Sequence, residues 1–149
     1  MPLYTIGYEG MAIGDFIARL KAARIGLVVD VRALPLSRKR GFSKTMFAKL
    51  LQRDGIRYEH RVALGTPNPI RSRYKRDHDF AALRVEFEKY LAHQGDAVAE
   101  LIALVAGERA CLVCFEADAA LCHRSIVAEA VQRHGGPKTV HLHQGGKLP

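Results

Sequence analysis

The sequence predicts an α/β fold: one three-layer domain with a mostly parallel β-sheet flanked by helices. Three observations predict it. Short apolar, β-branched runs, "LVVDV" at 27–31 and "ACLVCF" at 110–115, read as strands covered on both faces. The segments between such runs carry apolar residues at helical spacing. The resulting order, β-α-β-α-β-α-α-β-α-β, alternates as parallel sheets do. A length of 149 residues fits a single domain, 1–149, with a sizeable core. There is no internal repeat and no low-complexity linker.

The elements follow in chain order. "LYTIGY" (3–8) is β-rich and ends at the turn signal Glu9-Gly10. Ile13, Phe16, Ile17 and Leu20 mark a helix to about Ala23, with Gly26 as its stop. "LVVDV" is the second strand, followed by the polar loop "RALPLSRKRGF". Ser43 is placed to cap a helix bearing Met46, Phe47, Leu50 and Leu51. "IRYEHRVAL" (56–64) reads as a third strand weakened by its charges, and "GTPNPIRSRYKRDHD" (65–79) as a long loop with two prolines. Phe80, Leu83, Phe87, Tyr90 and Leu91 define a helix. Asp96 caps the next, which carries Val98, Leu101, Ile102 and Val105. After "ACLVCF", a helix with Ile126, Val127, Ala130 and Val131 on one face runs to Gly135-Gly136, and "TVHLH" (139–143) closes the pattern.

No apolar run approaches the roughly 20 residues that cross a bilayer, and the start of the chain shows no signal peptide, so no membrane partner and a cytoplasmic setting are expected. Three cysteines do not form a disulfide framework. Cys111 and Cys114, three apart in a strand, point to opposite faces, and Cys111 is expected in the core. The formal charge is +8, and Arg32 to Arg76 holds thirteen Lys or Arg against only Asp54 and Glu59. This is either a solvated basic surface or an electrostatic footprint for phosphate or nucleic acid.

Ligands of parallel sheets bind beyond the carboxyl ends of the strands. The residues there are Tyr8 to Gly10, Asp30 to Arg32, Leu64-Gly65 and Cys114 to Arg124. Asp30 and Arg32 share a face at i and i+2. Glu116 would sit beside Asp30 if their strands are neighbours, with Glu9 completing a carboxylate group suited to acid–base work. "LCHRS" opens a helix, where Cys122 would feel the helix N-terminus, His123 and Arg124. Cys122 and His123 are adjacent and lack the spacing of a zinc motif, although His141 and His143 lie on one strand face. No metal and no cofactor is assigned from these residues.

The stretches "TIGYEG", "VVDVRALPLSRKRGF", "YEHRVALG" and "LVCFEADAALCHRSIVAE" together resemble the family called domain of unknown function 488, over roughly residues 3 to 134. Its recurring positions fall on Gly7, Asp30, Arg32, Pro35, Ser37, Phe42, Leu64, Gly65, Cys114, Glu116, Cys122, His123 and Arg124. The resemblance implies that these polar residues form one site. It implies no particular reaction. A looser likeness joins "VVDVR" to the Asp-Val-Arg element of rhodanese domains, but nine residues separate Cys114 from Arg124 where those enzymes use a tight loop.

The leading expectation is an enzyme acting on a phosphorylated, nucleotide-like or nucleic-acid substrate. Asp30, Glu116, Cys122 and His123 are its expected catalytic groups. Tyr8, Glu9, Arg32, Ser37 and Arg124 are the expected substrate contacts. One alternative is a non-catalytic nucleic-acid-binding protein that uses Arg38, Lys39, Arg40, Arg71, Arg73 and Arg76 on phosphate, with Tyr58 and Tyr74 to stack. The other is a rhodanese-like thiol enzyme using Cys122. No oligomeric state is assigned.

Overall fold

A computed structural model describes residues 1–144 and shows an α/β fold with an all-parallel five-stranded sheet. The elements are β1 (Leu3–Gly7), α1 (Ile13–Ala22), β2 (Leu27–Asp30), α2 (Lys44–Arg53), β3 (Arg57–His60), α3 (Asn68–Asp77), α4 (Phe80–Ala92), α5 (Gly95–Val105), β4 (Ala110–Cys114), α6 (His123–Arg133) and β5 (Thr139–His141). Short 3₁₀ turns occupy Val62–Leu64 and Ala119–Leu121. None of the described helices is long and apolar enough to cross a membrane.

The strands lie in the order β3-β2-β4-β1-β5. From β1 to β3 the chain steps toward one edge, and from β3 to β5 it steps back. Right-handed crossovers in opposite directions put their helices on opposite faces, and the two cores divide accordingly. On one face Tyr4, Ile6, Val28, Cys111 and Val113 meet Phe16 and Leu20 of α1 and Phe47 and Leu51 of α2. On the other, Leu3, Leu27, Val29, Leu112 and Cys114 meet side chains of α4, α5 and α6. Cys111 and Cys114 therefore face opposite layers. Every residue of β1, β2 and β4 is buried, the physical reason that these strands read as near-continuous apolar runs.

Three local expectations change. The predicted loop at 65–79 is mostly helix α3. Pro67 is its N-cap and Pro69 sits in its first turn, where the missing N–H breaks no helical hydrogen bond. Ser43 stands at the N-cap of α2, but its hydroxyl does not cap the helix. It accepts from Ser37 N at 3.0 Å and donates to Ser37 O at 3.1 Å, pinching the 37–43 loop closed. Asp96 lies in the first turn of α5, and Gln94 is the N-cap.

Two glycines let backbone approach backbone at the sheet's carboxyl end. A Cβ at Gly7 would overlap the carbonyl of Glu116 and crowd Arg124 Nη1. A Cβ at Gly65 would overlap the backbone of Ala33. Neither has positive φ, so the requirement is space and not backbone freedom. Gly7→Ala should therefore destabilise the fold by about 1–3 kcal/mol, the cost of overpacking. Chemical denaturation of the two proteins measures this, and equal midpoints would contradict it.

Candidate functional site

The loops that leave β1, β2, β3 and β4 converge on one cavity of about 470 Å³. Tyr8 follows β1, Arg32 to Ser37 follow β2, Thr66 follows β3, and Cys114, Phe115 and Glu116 end β4. Helix α3 supplies a further wall through Arg71, Tyr74 and Lys75, with His78 just beyond it. His123, the first residue of α6, completes the floor.

Arg32 reaches this cavity because Asp30 holds it there. Arg32 Nε donates to Asp30 Oδ1 at 2.9 Å, and Nη2 donates to Oδ2 at 2.8 Å. The Arg32 backbone N–H takes Oδ1 at 3.1 Å, and the Tyr58 hydroxyl donates to Oδ2 at 2.5 Å. All four lone-pair positions of the carboxylate are then engaged. Asp30 is fully buried and does not line the cavity. Its place is behind Arg32, as a positioning residue. Arg32 also donates to the Tyr8 hydroxyl at 3.2 Å and sits against the rings of Tyr8 and Phe47. Tyr8 in turn stacks on Phe42, with centroids 4.3 Å apart. Burial alone would lower the pKa of Arg32, but the Asp30 hydrogen bonds and charge outweigh it and raise it.

Two histidines fix the carbonyls around this turn. His123 Nε2 donates to Val31 O at 2.7 Å, and His60 Nε2 donates to Arg32 O at 2.8 Å. A carbonyl only accepts, so each Nε2 carries the proton. Nδ1 of His123 is left facing two sulfurs, Cys114 Sγ at 3.5 Å and Cys122 Sγ at 3.9 Å. Glu116 Oε2 lies 3.8 Å from Cys114 Sγ.

These groups titrate together. The Cys122 sulfur, then burial, push the Cys114 thiol up. Burial also pushes Cys122 up, but Cys114, His123 and the charge of Arg124 reverse this and hold it well below the ordinary thiol range. Burial opposes charge on His123, yet the neighbouring Cys122 raises its pKa. Burial, followed by the charge of Cys122, pushes Glu116 up to about 7. Cys111 stands apart on the other face, where burial pushes its thiol up and leaves it inert.

Arg124 is fully buried and directed away from the cavity. Nε donates to Thr5 Oγ1 at 3.1 Å, and the terminal nitrogens donate to the carbonyls of Glu116 and Ala117. Glu9 is exposed and accepts from Ala117 N at 3.0 Å. Both residues thus secure the 115–118 loop. A rhodanese-like cradle needs that arginine and successive N–H groups aimed at an anion. Here the guanidinium is spent on backbone carbonyls.

Of the residues singled out in the sequence, Tyr8, Arg32, Ser37, Arg71, Glu116 and His123 line the cavity, and Asp30, Glu9, Cys122 and Arg124 do not. Cys122 is 1% exposed and lies behind Cys114, so Cys114 is the sulfur that a ligand would meet. Arg73 is engaged by Asp77 and Glu86, while Arg38, Arg40 and Arg76 are exposed. Lys39 is half-buried in the pinched loop, its N–H on Ser37 Oγ. His141 meets Thr5 Oγ1 at 2.6 Å, on the far side of β1 from the sulfurs' neighbours in β2. Tyr74, named in the sequence only for stacking, and Cys114, named there as a strand-end and family position without a role, also line the cavity, while Lys75 and His78 were not singled out. The signal for the helical wall was present: 71, 74, 75 and 78 follow i, i+3, i+4, i+7.

The family model described as "Domain of unknown function DUF488" matches residues 12–131 of the 149. The chain belongs to this family. The match takes in every strand-end loop of the DUF488 site except the Gly7–Glu9 segment that follows β1. No curated protein and no solved structure matches the chain, and nothing found carries the likeness to rhodanese.

Two predictions follow from the Asp30 network of this DUF488 chain. Asp30→Ala strands a buried guanidinium and should destabilise the protein by about 3–5 kcal/mol in chemical denaturation. A loss within experimental error of zero would show that Arg32 does not depend on Asp30. Burial and the Asp30 hydrogen bond hold the Tyr58 phenol above its ordinary value of 10. A raised pKa means that this stabilisation is complete below pH 10 and is lost as the pH climbs toward the folded value. Tyr58→Phe should make the alkaline decline of stability shallower, and an unchanged slope would contradict the assignment.

Proposed function

We propose that this protein is an enzyme whose substrate is a small phosphorylated, nucleotide-like anion bound in the cavity at the carboxyl ends of the strands. The observation that carries this reading is the composition of that one cavity. Cationic side chains, a large apolar lip and chemically competent groups all line it. Arg32, Arg71 and Lys75 supply positive charge for phosphate oxygens. Leu34, Leu36, Phe115 and Leu121 are exposed by 44–66% and rim the mouth, which favours a ligand with a planar or apolar part over a bare anion. Glu116, Cys114 and His123 stand at the floor as the groups available for proton or group transfer.

The basic segment supports the same reading. Three of its cations line the cavity, Arg32 after β2 and Arg71 and Lys75 on α3, so part of the segment's charge lies where a phosphate would enter. Arg32 is set by Asp30, Tyr8 and two aromatic rings, and is thus oriented before a ligand arrives. A nucleotide whose phosphates meet Arg32 and Arg71 would place its base against Phe115 and the leucine lip.

Calorimetric titration with ADP and with a short single-stranded oligonucleotide at low salt tests this. ADP should bind, and Arg71→Ala should weaken it about 10–100-fold, the range for one charge-assisted hydrogen bond. Glu116→Gln should keep binding and lose turnover of the nucleotide. No binding of either probe would sink the proposal. Tight oligonucleotide binding without ADP binding would transfer the cavity's role to a polynucleotide-binding protein.

A further inference from the structure

We infer that Cys114, Cys122 and His123 are three ligands of a zinc ion whose fourth position opens into the cavity. The donor atoms, two sulfurs and one imidazole nitrogen, lie within 4.8 Å of one another and are all buried. Tetrahedral zinc with bonds of about 2.0–2.3 Å separates neighbouring thiolate and imidazole donors by about 3.5–3.8 Å. The sulfurs lie 3.5 and 3.9 Å from His123 Nδ1, so little movement is needed to seat the ion.

A second observation is independent of those distances. His123 uses Nε2–H on the Val31 carbonyl, which fixes the ring and presents the Nδ1 lone pair to the sulfurs. A ligating histidine characteristically has its other nitrogen bonded in this way. Two thiolates and a neutral imidazole select zinc over magnesium or calcium, which require oxygen donors. The three ligands come from the end of β4 and the start of α6, rigid elements on either side of the 115–121 segment.

The set is open on one side. Cys114 and His123 line the cavity, Cys122 closes the rear, and Glu116 stands beside Cys114 but outside the three-atom cluster. Three protein ligands with a free fourth position are the pattern of a catalytic zinc site, and a closed structural site would have four. A water or a substrate oxygen would take that position, and Glu116, whose Oε2 lies 3.8 Å from Cys114 Sγ, would be the acid–base group beside it. The ion's task, though not its binding, rests on the cavity being the substrate site proposed above.

The experiment uses the full chain, reduced and kept from air, titrated with cobalt(II) as a spectroscopic substitute and then with zinc(II). The expected result is one cobalt per chain with thiolate-to-cobalt charge-transfer absorption and tetrahedral visible bands, all displaced by zinc. Cys114→Ser and Cys122→Ser should each reduce the charge-transfer intensity by about half or abolish binding. Glu116→Gln should leave stoichiometry and spectrum unchanged. Where a cysteine variant fails to fold, alkylation of the natural chain decides: zinc should protect Cys114 and Cys122 from iodoacetamide. Absence of stoichiometric cobalt binding, a spectrum indifferent to both cysteine variants, or no zinc protection would overturn the inference. So would a Cys114–Cys122 disulfide as the sole form recovered under the same reducing conditions. ADP titrated into the metal-free chain separates the two proposals. ADP binding without metal binding would remove only the zinc, and metal binding without ADP binding would remove only the nucleotide.

Discussion

Arg124 is fully buried, and none of its hydrogen-bond acceptors is a carboxylate. A guanidinium taken out of water is expensive unless every donor finds an acceptor and the charge finds compensation. Here the acceptors are one hydroxyl of β1 and two carbonyls of the loop after β4, and the charge of Arg124 helps hold the Cys122 thiol below its ordinary range. The cation therefore dictates where the loop runs. Holding the Glu116 carbonyl brings that residue across the end of β1, which only a glycine at position 7 permits. Arg124, one residue along from His123, thereby helps hold Glu116 beside Cys114 and His123.

The site then forms where two independently packed layers meet. Asp30, Tyr58 and Phe47 orient Arg32 from the α1–α2 side of the sheet. The sulfurs, His123 and α3 belong to the other side. The hinge between them is the peptide after β2, with His123 on the Val31 carbonyl and His60 on the next one. Anion binding and the floor chemistry thus have separate supports that share one stretch of backbone. A change in the aromatic cluster around Phe42 would act on Arg32 and leave the sulfur cluster in place.

Much of this was legible in the chain itself. The buried strands β1, β2 and β4 declare themselves because covering on both faces demands apolar residues at every position. Strand ends in a parallel sheet locate the site, and Arg32, Glu116 and His123 were named on that ground, Ser37 through the family resemblance. Pairing across space was not legible. Asp30 ends β2 and Glu116 follows the adjacent β4, as anticipated, yet Asp30 is taken up by Arg32 and Tyr58, because which donors a carboxylate meets depends on side chains from other strands. Arg124 looked like an anion ligand because its backbone acceptors are set by tertiary approach. Helix α3 was hidden by its two prolines and by a face that is cationic and aromatic where most helices are apolar. Cys114 is buried, and it also touches the cavity.

The hydrogen bond from Ala117 N to Glu9 joins residues 108 apart in the chain. Strand β1 has only β4 and β5 as neighbours, so its buried, two-sided apolar run has no partner until β4 exists. Contacts of such sequence separation form slowly, because loop closure must precede any gain from them. The first strand thus depends for its pairing on residues synthesised more than a hundred positions later. The cavity is built across that same junction, from segments far apart in the chain. A nascent or partly unfolded chain keeps Arg32 and the α2 aromatics within one contiguous stretch but has no site at all.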